Sequence, residues 1–128
     1  MGAPVAVEGC TLEIVGGTGP EPSNDSTPSS KSFAGGKGIY FKEIAFSVSG
    51  VTAGDIEFSD GEGSGTIPAS GSNILDYTSG DMAVLEGDIS EEITVEGTKS
   101  VPGGGTTKAS GKIKVKVSAA GQSVVIAL

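Results

Sequence analysis

The stretch Lys112-Ile113-Lys114-Val115-Lys116-Val117 alternates lysine with a β-branched side chain at every step. Successive side chains of a β-strand point to opposite faces, so this period of two puts the lysines on one face and the apolar residues on the other. One face has to be buried and the other has to meet water. The sequence therefore predicts an amphipathic strand at 112–117, and with it a β-sheet.

Other short apolar runs of the same kind lie upstream and downstream, separated by glycine-rich punctuation. No stretch keeps the 3.6-residue period of an amphipathic helix. We therefore predict an all-β fold: a single small glycine-rich domain over 1–128, built as an irregular β-cone or a compact β-sandwich, with essentially no long helix. Besides 112–117, the strand candidates are residues 5–7, 12–15, 39–49, 56–58, 66–68, 73–77 (as a strand or a helical turn), 82–85, 93–95 and 123–128.

The composition limits the size of the core. The chain has 22 glycines in 128 residues, 36% hydrophobic residues and only 5% aromatic residues. A core of this kind depends on β-branched packing and backbone pairing, and it favours oligomerisation or docking on a partner. Turn-forming residues predict a flexible Gly/Pro/Ser-rich loop at 16–38 and a glycine-rich loop at 102–111. They also predict that the run from Asp60 to Gly65 breaks a strand.

The chain lacks the side chains of most catalytic sites. It has no histidine and a single cysteine, Cys10. A serine or cysteine nucleophile would have no imidazole base, and tetrahedral zinc needs about four Cys or His ligands. We therefore predict that the protein is not an enzyme and has no catalytic, cofactor-binding or metal-binding residues. Cys10 is interpreted as a small buried thiol, and the partner-binding residues stay unknown at this point.

The net charge of −8 bears on partners and location. An acidic surface disfavours nucleic acid and anionic membranes as partners. No run approaches the ~20 apolar residues of a membrane span, so we expect no stable membrane insertion. The N-terminal residues lack the basic and apolar regions of a signal peptide, which predicts synthesis in the cytoplasm.

Three charged clusters are candidates for a site. Asp55, Asp60 and Glu62 lie among glycines, where alternating oxygen ligands suit calcium, but the full calcium-loop pattern is absent. A second acidic cluster comprises Asp81, Glu86 and Asp88. Plain turn chemistry is the favoured interpretation of both acidic clusters. The third cluster is the lysine row of 112–117, interpreted as a solvated face or protected edge, with an acidic partner or another copy of the chain as the alternative.

Several fragments, mostly within 64–128, resemble one family. They are Ser64-Gly65-Thr66-Ile67, Met82-Ala83-Val84-Leu85-Glu86-Gly87-Asp88, Ile93-Thr94-Val95-Glu96-Gly97-Thr98 and Ala119-Ala120-Gly121-Gln122-Ser123-Val124-Val125, with Gly2-Ala3-Pro4-Val5 and Gly9-Cys10-Thr11-Leu12 at the start. Their order resembles PAAR-like spike-tip proteins of contractile phage tails and contractile injection systems. The resemblance implies a small β-rich tip that caps a trimeric spike protein. Members often hold an apical metal through His and Cys, and this chain without histidine departs from that pattern.

The expected function is therefore a structural, non-enzymatic component of a phage tail or contractile injection particle, capping the central spike as a piercing tip. The expected partner is the trimeric spike protein of a baseplate, and self-association is a further possibility. One alternative is a capsid decoration or tail-tube virion protein. The other is a β-sandwich ligand- or carbohydrate-binding module that presents the loop at 16–38.

Overall fold

The computed structural model describes residues 3–127, and in that range the chain forms strands and turns without a helix. The predicted all-β class is confirmed. The strands are β1 Ala3–Pro4, β2 Thr11–Val15, β3 Ser23–Asn24, β4 Phe33–Ala34, β5 Lys37–Gly38, β6 Glu43–Val51, β7 Gly61–Pro68, β8 Gly71–Leu75, β9 Met82–Ala83, β10 Ile93–Ser100, β11 Thr106–Ala119 and β12 Ile126–Ala127.

The main structure is a six-stranded antiparallel sheet in the order β2-β11-β10-β7-β6-β3. This sheet curls into a half-barrel. Three two-stranded antiparallel sheets, β1-β12, β4-β5 and β8-β9, accompany it. We call the part of the molecule that these three sheets form the small end.

β11 contains the predicted amphipathic strand and extends well beyond it. Its first part pairs with β10 from Ser100 opposite Thr106 to Ile93 opposite Ile113, and its second part pairs with β2 from Lys114 opposite Val15 onward. The apolar face of residues 112–117 is buried, as the alternation predicts. One strand therefore connects the β10–β11 hairpin to β2.

The glycine-rich run before Gly65 is the main correction to the predicted strands. Residues 61–68 form β7, a central strand between β10 and β6, instead of a break followed by a short edge. A Cβ on Gly65 would lie 2.9 Å from Ile93 Cγ2 and 3.0 Å from Phe46 Cζ. The glycine thus leaves the space in which the buried ring of Phe46 packs, while Pro68 ends the strand, where it removes no central hydrogen bond.

Both predicted loops contain strand residues. Residues 106–111 belong to β11, so only 101–105 turn the hairpin, and the predicted loop at 102–111 is too long. Residues 16–38 contain β3, β4 and β5, and β3 pairs with β6. Residues of low strand propensity still pair where a neighbouring strand offers partners, a long-range condition that composition does not reveal.

Other predicted strands change their limits. The strand expected at 39–49 is β6, which starts at Glu43, and 56–58 is not a strand. Of the range 123–128, Ile126 and Ala127 form β12, and Leu128 lies outside the described residues. The range 82–85 contributes only two strand residues, and 73–77 corresponds to the end of β8 and the turn that follows.

The chain itself spans the gap between the two outer strands of the half-barrel. The segment after β2 crosses towards β6, where Thr18 and Thr52 exchange N–H···O hydrogen bonds of 2.9 and 2.8 Å. Pro22 is buried in the same crossover, immediately before β3. This segment of the predicted flexible loop therefore covers the open side of the sheet.

Apolar side chains form two buried clusters. The larger lies inside the curled sheet and includes Ile44, Phe46, Ile67 and Val95. The smaller lies at the small end. Its buried members are Val5, Val7, Ala34, Ile39, Ala83 and Ala127.

Gly111 provides a test of the closure. It lies on β11 against the Ala53 backbone, and an added Cβ would overlap the carbonyl of Ala53. A Gly111→Ala substitution ordinarily stabilises a strand by restricting the unfolded chain. Because a backbone carbonyl cannot move aside like a side-chain tip, we expect the opposite here: a loss of about 1–3 kcal/mol in the free energy of unfolding.

Chemical denaturation of the two proteins measures this difference. Ser110→Ala is the matched control, since Ser110 is exposed on the same strand. Equal stability of Gly111→Ala and the parent chain would show that the strand does not need this close approach.

Candidate functional site

The first acidic cluster works as a structural connection. Asp60 accepts a 2.9 Å hydrogen bond from the Thr98 amide and another from the Thr98 hydroxyl, which joins the turn before β7 to β10. These bonds, the hydroxyl first, lower the pKa of the Asp60 carboxyl. No group of three or more Cys, Asp or Glu side chains within residues 3–127 is placed to hold a metal ion. Asp55 and Glu62 therefore do not combine with Asp60 as calcium ligands.

The second acidic cluster is divided between separate backbone contacts. Asp88 Oδ2 accepts from the amide of Leu85 at 2.8 Å and from that of Ser70 at 3.2 Å. Glu86 Oε1 accepts from the amide of Ala120 at 3.0 Å. Asp81 contributes its backbone carbonyl to the turn after β8. Asp88 thus stabilises a local turn, in agreement with the favoured interpretation of the sequence, whereas Glu86 joins two segments that are 34 residues apart.

Cys10 is buried, as predicted. The Asn24 side-chain amide donates to its Sγ at 3.9 Å. Desolvation is the largest cause that raises the pKa of this thiol, and it also raises the pKa of the neighbouring Tyr40 hydroxyl. A thiol with a raised pKa stays protonated at neutral pH and is a poor nucleophile.

The lysine row lies on the solvated face of β11. Lys112 approaches Glu92 at 3.9 Å and Lys116 approaches Glu13 at 3.8 Å. Ion pairs of this exposure contribute little to stability.

Two like-charged side chains are directly opposite each other elsewhere on the sheet. Glu62 on β7 faces Glu96 on β10, and this repulsive pair depends on a strand register that the sequence does not disclose.

The small end carries exposed apolar side chains that the sequence analysis did not identify as a surface. We name Leu75, Met82, Val124 and Ile126 the apolar end. They are 52, 40, 78 and 47% exposed. Leu75 is opposite Met82 in the β8–β9 pair, and β12 packs beside β8. The detectable signal was the unbroken apolar run at 124–128, which exceeds what one buried strand face can accommodate.

Gln122 holds the chain that leads into this surface. Its Nε2 donates to the carbonyls of Val5 and Val125 at 2.9 and 2.8 Å. Its Oε1 accepts from the amides of Val124 and Val125 at 2.7 and 2.8 Å. Four hydrogen bonds from one side chain fix the position of the segment before β12.

Comparison with known proteins gives no relative. No protein-family model, curated protein or solved structure matches the chain. Among residues 3–127 there is also no helix with the length and apolar character needed to cross a membrane. Functional inference therefore depends on the geometry of these surfaces.

The Asp60 connection predicts a specific acid sensitivity. Because the pKa of Asp60 is lower in the folded protein, its stabilising effect is present above the unfolded pKa of about 3.9 and disappears as pH falls through the folded value. We expect Asp60→Asn to lower the thermal unfolding midpoint at pH 7. The difference from the parent chain should vanish in strong acid.

Thermal melts at a series of pH values measure this effect. Asp55→Asn, in the neighbouring turn, is the control with the same change of charge. A difference between Asp60→Asn and the parent that is equally large at every pH would assign the effect to something other than the ionised carboxylate.

The opposed glutamates predict a stabilising substitution. Glu62→Lys replaces a repulsive cross-strand pair by an attractive one, so we expect a gain of about 0.2–1 kcal/mol in the free energy of unfolding. Glu8→Lys makes the same change in net charge at an exposed position outside the strands. Denaturant midpoints at low and high salt measure both; an equal gain in the two variants would mean that net charge alone is responsible.

Proposed function

We propose that this protein is a structural, non-enzymatic component of a phage tail or contractile injection particle, and that it caps the central spike as a piercing tip. The observation that carries the proposal is the apolar end. Single exposed apolar residues are ordinary on protein surfaces, whereas grouped ones mark contact surfaces. Here Leu75 and Met82 are directly opposite each other, and Ile126 lies on β12, which packs beside β8. Val124 is two residues before Ile126 in the same chain segment.

The layout of β11 supports a tip with one docked end and one free end. β11 begins at the hairpin turn 101–105 and ends beside the small end, where the Val7 amide donates to the Ala120 carbonyl. At about 3.4 Å per residue its 14 residues extend over roughly 45 Å. The hairpin end is polar, with exposed Ser100, Thr106 and Lys108. An apolar docking end and a distant polar end suit a part that is attached at its base.

The resemblance to PAAR-like proteins supports the same orientation. Two of its fragments, 82–88 and 119–125, lie at the small end and supply Met82 and Val124 to the apolar end. In this orientation these two fragments contribute to the attached surface. The tip without histidine would be held by backbone pairing and β-branched packing.

The ionisable side chains support a mechanical role. Asp60, Glu86 and Asp88 accept hydrogen bonds from backbone amides, and burial raises the pKa of Cys10. Groups used in this way hold the fold and are not poised for proton transfer or nucleophilic attack. We infer that these groups stabilise the fold.

The test is binding to the trimeric spike protein of the same particle. We expect the purified chain to bind one copy per trimer, measured by native mass spectrometry, because a tip occupies the threefold axis. The double substitution Met82→Asp with Ile126→Asp should weaken binding at least tenfold, since charge would be buried at the contact. Phe58→Asp is the matched control: Phe58 is 49% exposed and lies outside the apolar end.

Circular dichroism and thermal melts establish that each variant is folded. Absence of binding to the spike protein, or equal loss in the Phe58→Asp control, would overturn the proposal. Symmetric self-association or binding to capsids through the apolar end would instead identify a decoration or tube protein.

A further inference from the structure

A polar cleft lies next to the small end, formed by three segments that are distant in sequence. Residues 27–31, 39–42 and 76–81 surround a volume of about 440 Å³. Ligand-binding pockets usually measure about 300–1,000 Å³. The cleft is therefore large enough for a small organic ligand.

The segments around the cleft are held by hydrogen bonds. Asp76 Oδ1 accepts from the Thr78 amide at 3.1 Å and from its hydroxyl at 2.8 Å, which fixes the turn after β8. Ser29 Oγ accepts from the amides of Lys31 and Ser32 at 3.2 and 3.0 Å, and the Ser29 amide donates to the carbonyl of Ile39 at 2.8 Å. The cleft is thus preformed, which lowers the entropic cost of binding.

Two lysines line the cleft without a close ion pair to another described residue. Hydrogen bonds within its own turn are the main cause that lowers the pKa of the Asp76 carboxyl, and Lys31 is near enough to contribute. Within residues 3–127 the ion pairs shorter than 4.0 Å are those of Lys112 and Lys116, so Lys31 and Lys42 are in neither. The lining also carries the carboxylates of Asp76 and Asp81, so the formal charges of the cleft balance. Two ammonium groups that form no close ion pair within the described part of the chain are nevertheless available to bind one acid group.

The backbone at Lys42 is informative. Its φ of 72° is in the left-handed region, which glycine adopts without cost and other residues adopt at about 1 kcal/mol or more. Two backbone hydrogen bonds fix this conformation. The Lys42 amide donates to the carbonyl of Met82, and the Lys42 carbonyl accepts from the amide of Ala69. Since glycine would suit this backbone better, what lysine adds here is its side chain at the cleft.

The remaining lining completes a recognisable chemistry. Asp81 offers a carboxylate that accepts no hydrogen bond within residues 3–127, and Thr27 and Ser30 bring hydroxyl groups. Phe41, half-buried, adds an aromatic surface. Carboxylate and hydroxyl groups bind sugar hydroxyls, an aromatic ring packs against the apolar face of a sugar ring, and paired ammonium groups bind an acid group.

We propose that this cleft binds an acidic saccharide. The acid group lies between Lys31 and Lys42, a ring hydroxyl donates to Asp81, and the sugar ring packs on Phe41. This proposal is independent of spike capping, because none of these residues belongs to the apolar end.

The test titrates the full-length chain with three probes by calorimetry: oligogalacturonate, a neutral galactose oligosaccharide of equal length, and inorganic phosphate. We expect saturable binding of oligogalacturonate that weakens with salt, and much weaker binding of the other two. Lys31→Ala and Lys42→Ala should each weaken oligogalacturonate binding roughly tenfold, because each substitution removes one charge-assisted hydrogen bond to the acid group. Lys108→Ala, an exposed lysine outside the cleft, should leave affinity unchanged.

Lys42→Gly separates binding from folding. Because glycine relieves the left-handed backbone, this variant should be at least as stable as the parent chain and still lose oligogalacturonate binding at least tenfold. No saturable binding of oligogalacturonate, or binding that is unaffected in both Lys42 variants, would overturn the proposal. Equal affinity for the neutral sugar or for phosphate would overturn the assignment to acidic saccharides.

Discussion

Backbone pairing along β11 is the interaction on which the rest of the structure depends. This strand pairs with β10 over its first part and with β2 over its second part. At Gly111, within the part that pairs with β10, the backbone of Ala53 and Gly54 packs directly against it. The curl of the sheet, the buried cluster inside it and the position of the small end all follow from this one strand.

Because the core contains few aromatic residues, close backbone contacts are important for the stability of the fold. Phe46 is the largest fully buried side chain, and β-branched residues make up most of the others. Small side chains bury less area each, so stability has to come from many close approaches. Glycine permits such approaches, as at Gly65 beneath the Phe46 ring.

The same fact explains which parts of the fold could be predicted from the sequence. Alternation at 112–117 is a local property of a strand with one wet face, and the structure confirms it. The strand character of β7 depends on its neighbours, because β6 and β10 pair with it on either side. The missing side chain of Gly65 leaves the space that Ile93 and Phe46 occupy. Local reading of Asp60–Gly65 finds only turn formers. Periodicity cannot report partners that lie tens of residues away.

The candidate sites divide in the same manner. The contact of Asp88 with the Leu85 amide was predictable, because an aspartate near glycine commonly accepts from an amide a few residues away. The contacts of Asp60 with Thr98 and of Glu86 with Ala120 span 38 and 34 residues, and local sequence does not indicate them. The cleft was not predictable, since Lys31, Lys42 and Asp81 come together only through the pairing of the small sheets. The apolar end likewise requires β8, β9 and β12 to be neighbours.

The two proposed surfaces share the β8–β9 hairpin, so a ligand bound at one surface affects binding at the other. Leu75 and Met82 belong to the apolar end, and the turn between them carries Asp76 and Asp81 of the cleft. A partner bound at the apolar end would restrict that turn, and a saccharide in the cleft would restrict it from the other side. If both bind, the turn is ordered only once, so each ligand should raise the affinity of the other by the same factor. Under the proposed function, the chain would hold a surface saccharide more firmly when mounted on its spike than when free.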